Sequence, residues 1–98
     1  MKIPKRITLY GQTIEIETVD TLVEDENCVG QARYRLNKIL LQDVKKLGRP
    51  VSTQEQSYCH ELVHFILNLS DYEDLCKNEG FVERFSQLLH QALATAEY

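Results

Sequence analysis

The hydrophobic period of the chain changes near residue 50, and this change most strongly limits the folds that the sequence can adopt. Before it, apolar and polar residues alternate in short segments, as they do in half-buried strands. After it, apolar residues recur every three to four positions, which is typical of amphipathic helices. Gly48-Arg49-Pro50 separates the two patterns. They predict an α+β fold in which a small antiparallel sheet of three or four strands precedes two helices.

The first part of the chain, residues 1–47, is predicted to form β-hairpins. Gly11-Gln12 and Asn37-Lys38 are the predicted turns, and the acidic, irregular stretch 20–30 is a predicted loop. One helix over residues 31–47 also fits the apolar spacing and is the alternative to the second hairpin. The predicted strands are residues 7–10, 13–19, 32–36 and 39–41.

The second part, residues 52–96, is predicted to hold two helices. Ser52 followed by Glu55 is a capping-box pattern, so the first helix is expected over about residues 53–69. Residues 71–77 are a short connection with room for one helical turn. The last helix is predicted to bury one apolar side, which consists of Phe81, Phe85, Leu88, Leu89, Ala92 and Leu93.

Composition excludes several classes of protein. The 98 residues are enough for one domain with a modest core. The net charge of −4, with scattered basic residues, argues against nucleic acid as a partner, and no apolar run is long enough to span a membrane. Three irregularly spaced cysteines do not resemble a disulfide framework, so a cytoplasmic location is expected. Cys59 is predicted to be a buried thiol, because helical neighbours such as Cys59 and His60 point about 100° apart.

The first predicted helix contains the string His60-Glu61-Leu62-Val63-His64. Residues four apart share a helix face, so both imidazoles can reach one tetrahedral zinc, while Glu61 can take a proton from a water that zinc activates. A random match is expected only about 0.01 times in such a chain. The alternative is a solvated histidine pair, but a solvated face would more often carry Lys and Gln. The polar arc of this helix consists of Ser57, His60, Glu61, His64 and Asn68.

A catalytic zinc needs a third protein ligand. Residues 71–74 follow the helix so closely that they would need a tight reversal of the chain. His90 lies eleven positions beyond Glu79, about 16 Å along one helix, so these two could not bind one metal together. By residue type the candidates after His64 are Asp71, Glu73, Asp74, Cys76, Glu79, Glu83 and His90.

The stretch Asn78-Glu79-Gly80-Phe81-Val82-Glu83 resembles the Asn-Glu-x-x-x-Asp stretch of gluzincins, the thermolysin-like metallopeptidases whose third zinc ligand is a glutamate on a second helix. The resemblance implies that Glu79 is the third ligand and that Glu83 hydrogen-bonds a ligating histidine, His60. Glu83 stands where the family has Asp, so direct zinc binding by Glu83 stays open. A His90 ligand would instead resemble the SprT-like metallopeptidases.

The resemblance covers about residues 52–96 and implies a single minimal zincin-like domain over residues 1–98, similar to small bacterial and phage proteins. The implied function is zinc-dependent peptide-bond hydrolysis with Glu61 as general base and a peptide or protein substrate along a sheet edge. At this length the chain is expected to lack the further subdomain in which larger relatives place an oxyanion-stabilising histidine. The alternatives are a non-catalytic zinc-stabilised interaction domain and an interaction module without metal. Candidate oxyanion donors are Arg33, Tyr34, Arg35 and Tyr72.

Overall fold

One four-stranded sheet is followed by helices in the computed structural model, which describes residues 1–98. This confirms the predicted α+β class and the order of its elements. The 19-residue helix α2 packs on the sheet and on α4. The strands are β1 (Arg6–Leu9), β2 (Gln12–Val19), β3 (Gly30–Arg33) and β4 (Lys38–Gln42), and the helices are α1 (Leu22–Glu26), α2 (Val51–Leu69), α3 (Glu73–Cys76) and α4 (Glu79–Thr95).

The sheet is mixed, with the order β1-β2-β4-β3, so the expected purely antiparallel sheet is wrong. Both predicted hairpins are present, and the alternative helix over residues 31–47 is not. The first turn is Tyr10-Gly11, one residue earlier than predicted, and both residues have positive φ, as a two-residue hairpin turn requires. The chain leaves β2, crosses to the far edge as β3 and returns as β4, which therefore pairs in parallel with β2.

The connection between β2 and β3 contains α1, where the sequence predicted only a loop. Gln42, at the end of β4, is buried and fixes the start of α1. Its amide oxygen accepts a hydrogen bond from the Val23 N–H at 2.8 Å, and its amide nitrogen donates to the Asp20 carbonyl at 2.7 Å. Beyond α1 the chain enters β3, which forms an edge of the sheet and contacts α2.

Helix α2 begins at Val51, and its N-cap is Pro50 with no side-chain capping bond. The predicted capping box is therefore wrong. Ser52 lies inside the first turn, and the Glu55 carboxylate accepts hydrogen bonds from His90 Nε2 at 2.9 Å and from the amino group of Met1 at 3.2 Å. This contact ties α2 to α4 at the end of the helix pair away from Glu79.

The core consists of sheet residues packed against the inner face of α2. Cys59 is completely buried in it, as predicted. On α4 the buried residues are Val82, Ser86 and His90, not the predicted apolar side. Phe85 is 51% exposed and Leu88 is 63% exposed. None of the helices has the length and apolar composition that a bilayer crossing requires. One cluster of the core contains six buried residues that contact one another: Ile14, Ile39, Leu41, Tyr58, Cys59 and Phe65.

Candidate metal centre

His60 and His64 lie one turn apart on the face of α2 that meets α4. Their ring centroids are 5.0 Å apart, and both side chains are partly buried. Burial lowers the pKa of His64, with Glu79 acting in the opposite direction. A lowered pKa favours the neutral imidazole, which is the form that binds a metal ion.

Glu79 is the first residue of α4, and the cap of this helix fixes its position. The Asn78 side chain accepts a hydrogen bond from the Phe81 N–H at 3.0 Å, so the helix begins where Glu79 faces α2. The two carboxylate oxygens of Glu79 face different histidines. Oε1 lies 3.2 Å from His64 Nε2, and Oε2 lies 3.4 Å from His60 Nε2.

These three side chains form a group that could hold a metal ion, because one ligand atom from each lies within 4.8 Å of the other two. Two ligands at zinc-like bond lengths in a tetrahedral shell lie about 3.3 Å from each other. Each Glu79–histidine distance, 3.2 and 3.4 Å, lies near that spacing, although the two distances start from different carboxylate oxygens, Oε1 and Oε2. In a tetrahedral shell, two imidazoles and one carboxylate would leave a fourth position for water or substrate.

Each imidazole also has a partner at its other ring nitrogen. Glu83 Oε2 lies 3.1 Å from His60 Nδ1, so Glu83 faces the opposite side of the ring from Glu79. Cys76 Sγ lies 3.4 Å from His64 Nδ1. The resemblance to gluzincins predicted the Glu83 contact, whereas Cys76 was predicted only as a candidate metal ligand. No periodicity could have revealed the Cys76 contact, because α3 is a separate element whose orientation depends on the tertiary fold.

Glu61 is 8% exposed and borders the cleft beside the two histidines. Burial raises its pKa to about 7, His60 acts to lower it, and Glu79 raises it further. A divalent cation in the histidine–glutamate group would favour the ionised carboxylate. The backbone of Gly30 lies against this side chain: a Cβ at position 30 would be 3.2 Å from Glu61 Cγ and 3.5 Å from Oε2. Nothing in the sequence around Gly30 predicted this contact.

A cleft of about 530 Å³ opens over the group. The N-terminal half of α2 forms one wall, the start of edge strand β3 and the residues before it form another, and α4 contributes Glu79 and Glu83. The cleft is therefore large enough for part of a substrate chain. Its lining residues are Cys28, Val29, Gly30, Thr53, Gln56, Ser57, His60, Glu61, His64, Glu79 and Glu83.

The ligand candidates His90 and residues 71–74 lie outside the cleft. His90 bonds to Glu55, and residues 71–74 border a separate surface depression. None of the four oxyanion candidates lines the cleft. The Tyr34 hydroxyl contacts Cys76 Sγ at 3.5 Å, and Arg33 bonds to Glu26 and Gln31.

No protein-family model, curated protein or solved structure matches the chain. The resemblance to gluzincins stays a prediction carried by the motif residues.

Proposed function

We propose that this protein is a zinc-dependent metallopeptidase in which Glu61 is the general base. One observation carries the proposal: the largely buried carboxyl of Glu61 borders an open cleft beside a His60–His64–Glu79 group of metal-binding geometry. A site that binds zinc only for stability is closed and usually has four protein ligands. An open cleft and an additional carboxylate support the enzyme over the non-catalytic zinc domain.

Each residue of the site has a separate role in the proposed reaction. His60, His64 and Glu79 would hold the ion, which supplies polarisation of a water molecule and of the scissile carbonyl. Glu61, beside this group, would take a proton from the attacking water and deliver it to the leaving amine. Glu83 Oε2 lies 3.1 Å from His60 Nδ1, where it would take up the Nδ1 hydrogen and so leave the lone pair of Nε2 for the ion.

The substrate we propose is an extended peptide. Strand β3 has no neighbour on its outer side, and Gly30 at its start lines the cleft next to Glu61. An extended chain can add to such an edge through main-chain hydrogen bonds, which would bring one of its peptide bonds to the metal group.

Metal analysis combined with peptide cleavage tests the proposal. Protein purified without a histidine tag is analysed by inductively coupled plasma mass spectrometry for all first-row transition metals, and then incubated with a peptide library. We expect about one equivalent of zinc and cleavage that 1,10-phenanthroline stops and added zinc restores. A different bound metal, or no metal, would contradict the zinc assignment. Stoichiometric zinc without any cleavage would instead favour the non-catalytic zinc domain.

A side chain at position 30 is expected to reduce turnover without removing the metal. The Gly30→Ala methyl group would lie 3.2 Å from Glu61 Cγ, so the carboxyl must shift by a few tenths of an ångström. We expect kcat to fall by about tenfold, since small displacements of a catalytic group carry large rate penalties, and Gly30→Val should lower it further. Zinc content should stay at the wild-type level.

Gly11→Asn is the control for this substitution, because nothing lies within 4 Å of a Cβ there and asparagine tolerates the positive φ of that turn. It should retain wild-type kcat. An unchanged kcat in Gly30→Val would show that the contact with Glu61 has no part in catalysis.

A further inference from the structure

We propose that the thiol of Cys76 is the positioning residue of His64: it accepts the hydrogen of Nδ1 and thereby keeps Nε2 free for the metal. This inference rests on the proposed metal centre. It gives His64 a sulfur partner, whereas the partner of His60 is the carboxylate of Glu83.

The Cys76 sulfur lies among three polar groups. It is 3.4 Å from His64 Nδ1, 3.5 Å from the His64 carbonyl oxygen and 3.5 Å from the Tyr34 hydroxyl. A thiol has one hydrogen to donate and a sulfur that accepts weakly. The S–H donates to the His64 carbonyl, which leaves the sulfur lone pairs for the His64 ring and the Tyr34 hydroxyl. All three contacts are then satisfied at once.

The tautomer of His64 follows from the position of Glu79. His64 Nε2 faces Glu79 Oε1 at 3.2 Å, so this is the nitrogen directed at the metal group. A metal takes the lone pair of Nε2, so the ring proton must reside on Nδ1. That proton needs an acceptor, and Cys76 Sγ is the acceptor at Nδ1. A sulfur there selects the metal-binding tautomer and fixes the rotation of the ring.

The fold holds the sulfur in place from the core side. The Tyr34 ring packs edge-on against buried Phe65 with centroids 5.0 Å apart, and its hydroxyl meets Cys76 Sγ. Burial and Cys76 both raise the pKa of Tyr34, so the hydroxyl keeps its proton and can donate to sulfur. A series of contacts from the core through Tyr34 and Cys76 to His64 therefore connects the packing of the sheet to the metal group.

The same geometry makes the two histidines unequal. His60 Nδ1 faces the Glu83 carboxylate, whereas His64 Nδ1 faces a neutral sulfur. Hydrogen bonds to a charged acceptor are about twice as strong as those to a neutral one. Cys76 therefore orients His64 while adding little to the electron density of its ring.

Zinc affinity of Cys76 variants tests the proposal without relying on activity. Metal-free protein is titrated with Zn²⁺ against a fluorescent chelator, comparing wild type with Cys76→Ala, Cys76→Val and Cys76→Ser. We expect the Kd for zinc to rise about tenfold in the alanine and valine variants. Serine keeps an acceptor and should recover part of the loss. Valine fills the space of the thiol without an acceptor, which separates lost packing from a lost hydrogen bond.

Lys77→Ala is the matched control on the neighbouring residue, whose exposed side chain pairs only with Glu73. It should bind zinc within twofold of wild type. In addition, long-range ¹H–¹⁵N spectra of the zinc-loaded wild type should show the His64 proton on Nδ1, and this proton should exchange faster with solvent in Cys76→Ala.

Two results would overturn the inference about Cys76 alone: wild-type zinc affinity in both the alanine and the valine variants, or a zinc-loaded wild type with the His64 proton on Nε2. A wild type that takes up no zinc would overturn the metal centre itself, and the role of Cys76 with it. Thermal unfolding of each variant without metal shows whether the fold is intact before its affinity is interpreted.

Discussion

Glu61→Gln is expected to keep the fold and the bound zinc and to lose peptide hydrolysis, with kcat/KM falling by about a thousandfold. The substitution conserves the shape of a side chain that is only 8% exposed, so packing against Gly30 is preserved. An amide cannot take the proton of the attacking water, so only the chemical step is removed. The measurement is the steady-state hydrolysis of a fluorogenic peptide chosen from the library, with the zinc content of each preparation determined in parallel.

Glu73→Gln is the control for this experiment. Glu73 is exposed and pairs with Lys77 on the surface, outside the cleft. It should retain wild-type kinetics. Identical fragments at identical rates from wild type and Glu61→Gln would show that a contaminating peptidase produces the activity. Loss of zinc from Glu61→Gln would instead show that this carboxylate helps to bind the metal.

The motif helix was predictable because its information is local. Residues four apart on a helix share a face in any environment, so His60 and His64 meet whatever the rest of the chain does. The predicted range of this helix, about residues 53–69, agrees with the observed Val51–Leu69 to within two residues. Its N-terminal cap does not, because Glu55 forms its contacts with His90 and Met1, which are distant in sequence.

The arrangement of the sheet was not predictable from alternation alone. Alternating residues indicate that strands exist, but they contain no information on which strands become neighbours. The parallel pairing of β2 with β4 depends on α1 and on the buried amide of Gln42, which anchors the connection before β3. This topology matters for the proposed function, because it makes β3 the edge strand at the cleft.

The inner face of α4 differs most from the prediction that was based on apolar spacing. Apolar spacing favoured burial of Phe85 and Leu88, yet these residues are exposed, and Ser86 and His90 are buried. Glu79 must face α2, and residues seven and eleven positions further along α4 lie on the same side as Glu79. The side of α4 that contains Glu79 is therefore buried, instead of the side that has more apolar residues. Such conflicts between local pattern and structure are expected at functional sites.

The contacts of Gly30 and Cys76 could not be predicted from the sequence, for a different reason. Each belongs to an element that reaches the site only through tertiary packing: β3 through the crossover and α3 through Tyr34. A glycine at a strand start and a cysteine at the end of a single helical turn are unremarkable in a sequence. Their effect appears only as distances to Glu61 and His64.

Removal of the metal is expected to destabilise the protein strongly. A ligand that binds only the folded state at a thousandfold excess over its Kd stabilises that state by about 4 kcal/mol, and for a chain of this size that corresponds to a shift in Tm on the order of 20 °C. Differential scanning calorimetry with and without EDTA measures the shift.

The double variant His60→Ala/His64→Ala should show no zinc-dependent shift in Tm. His90→Gln removes the third histidine, which lies outside the cleft and bonds to Glu55, so it should lower the Tm but keep the zinc-dependent shift. Equal Tm values for wild type with and without zinc would contradict the metal centre, because a site that spans α2 and the start of α4 cannot bind its ion without stabilising their packing.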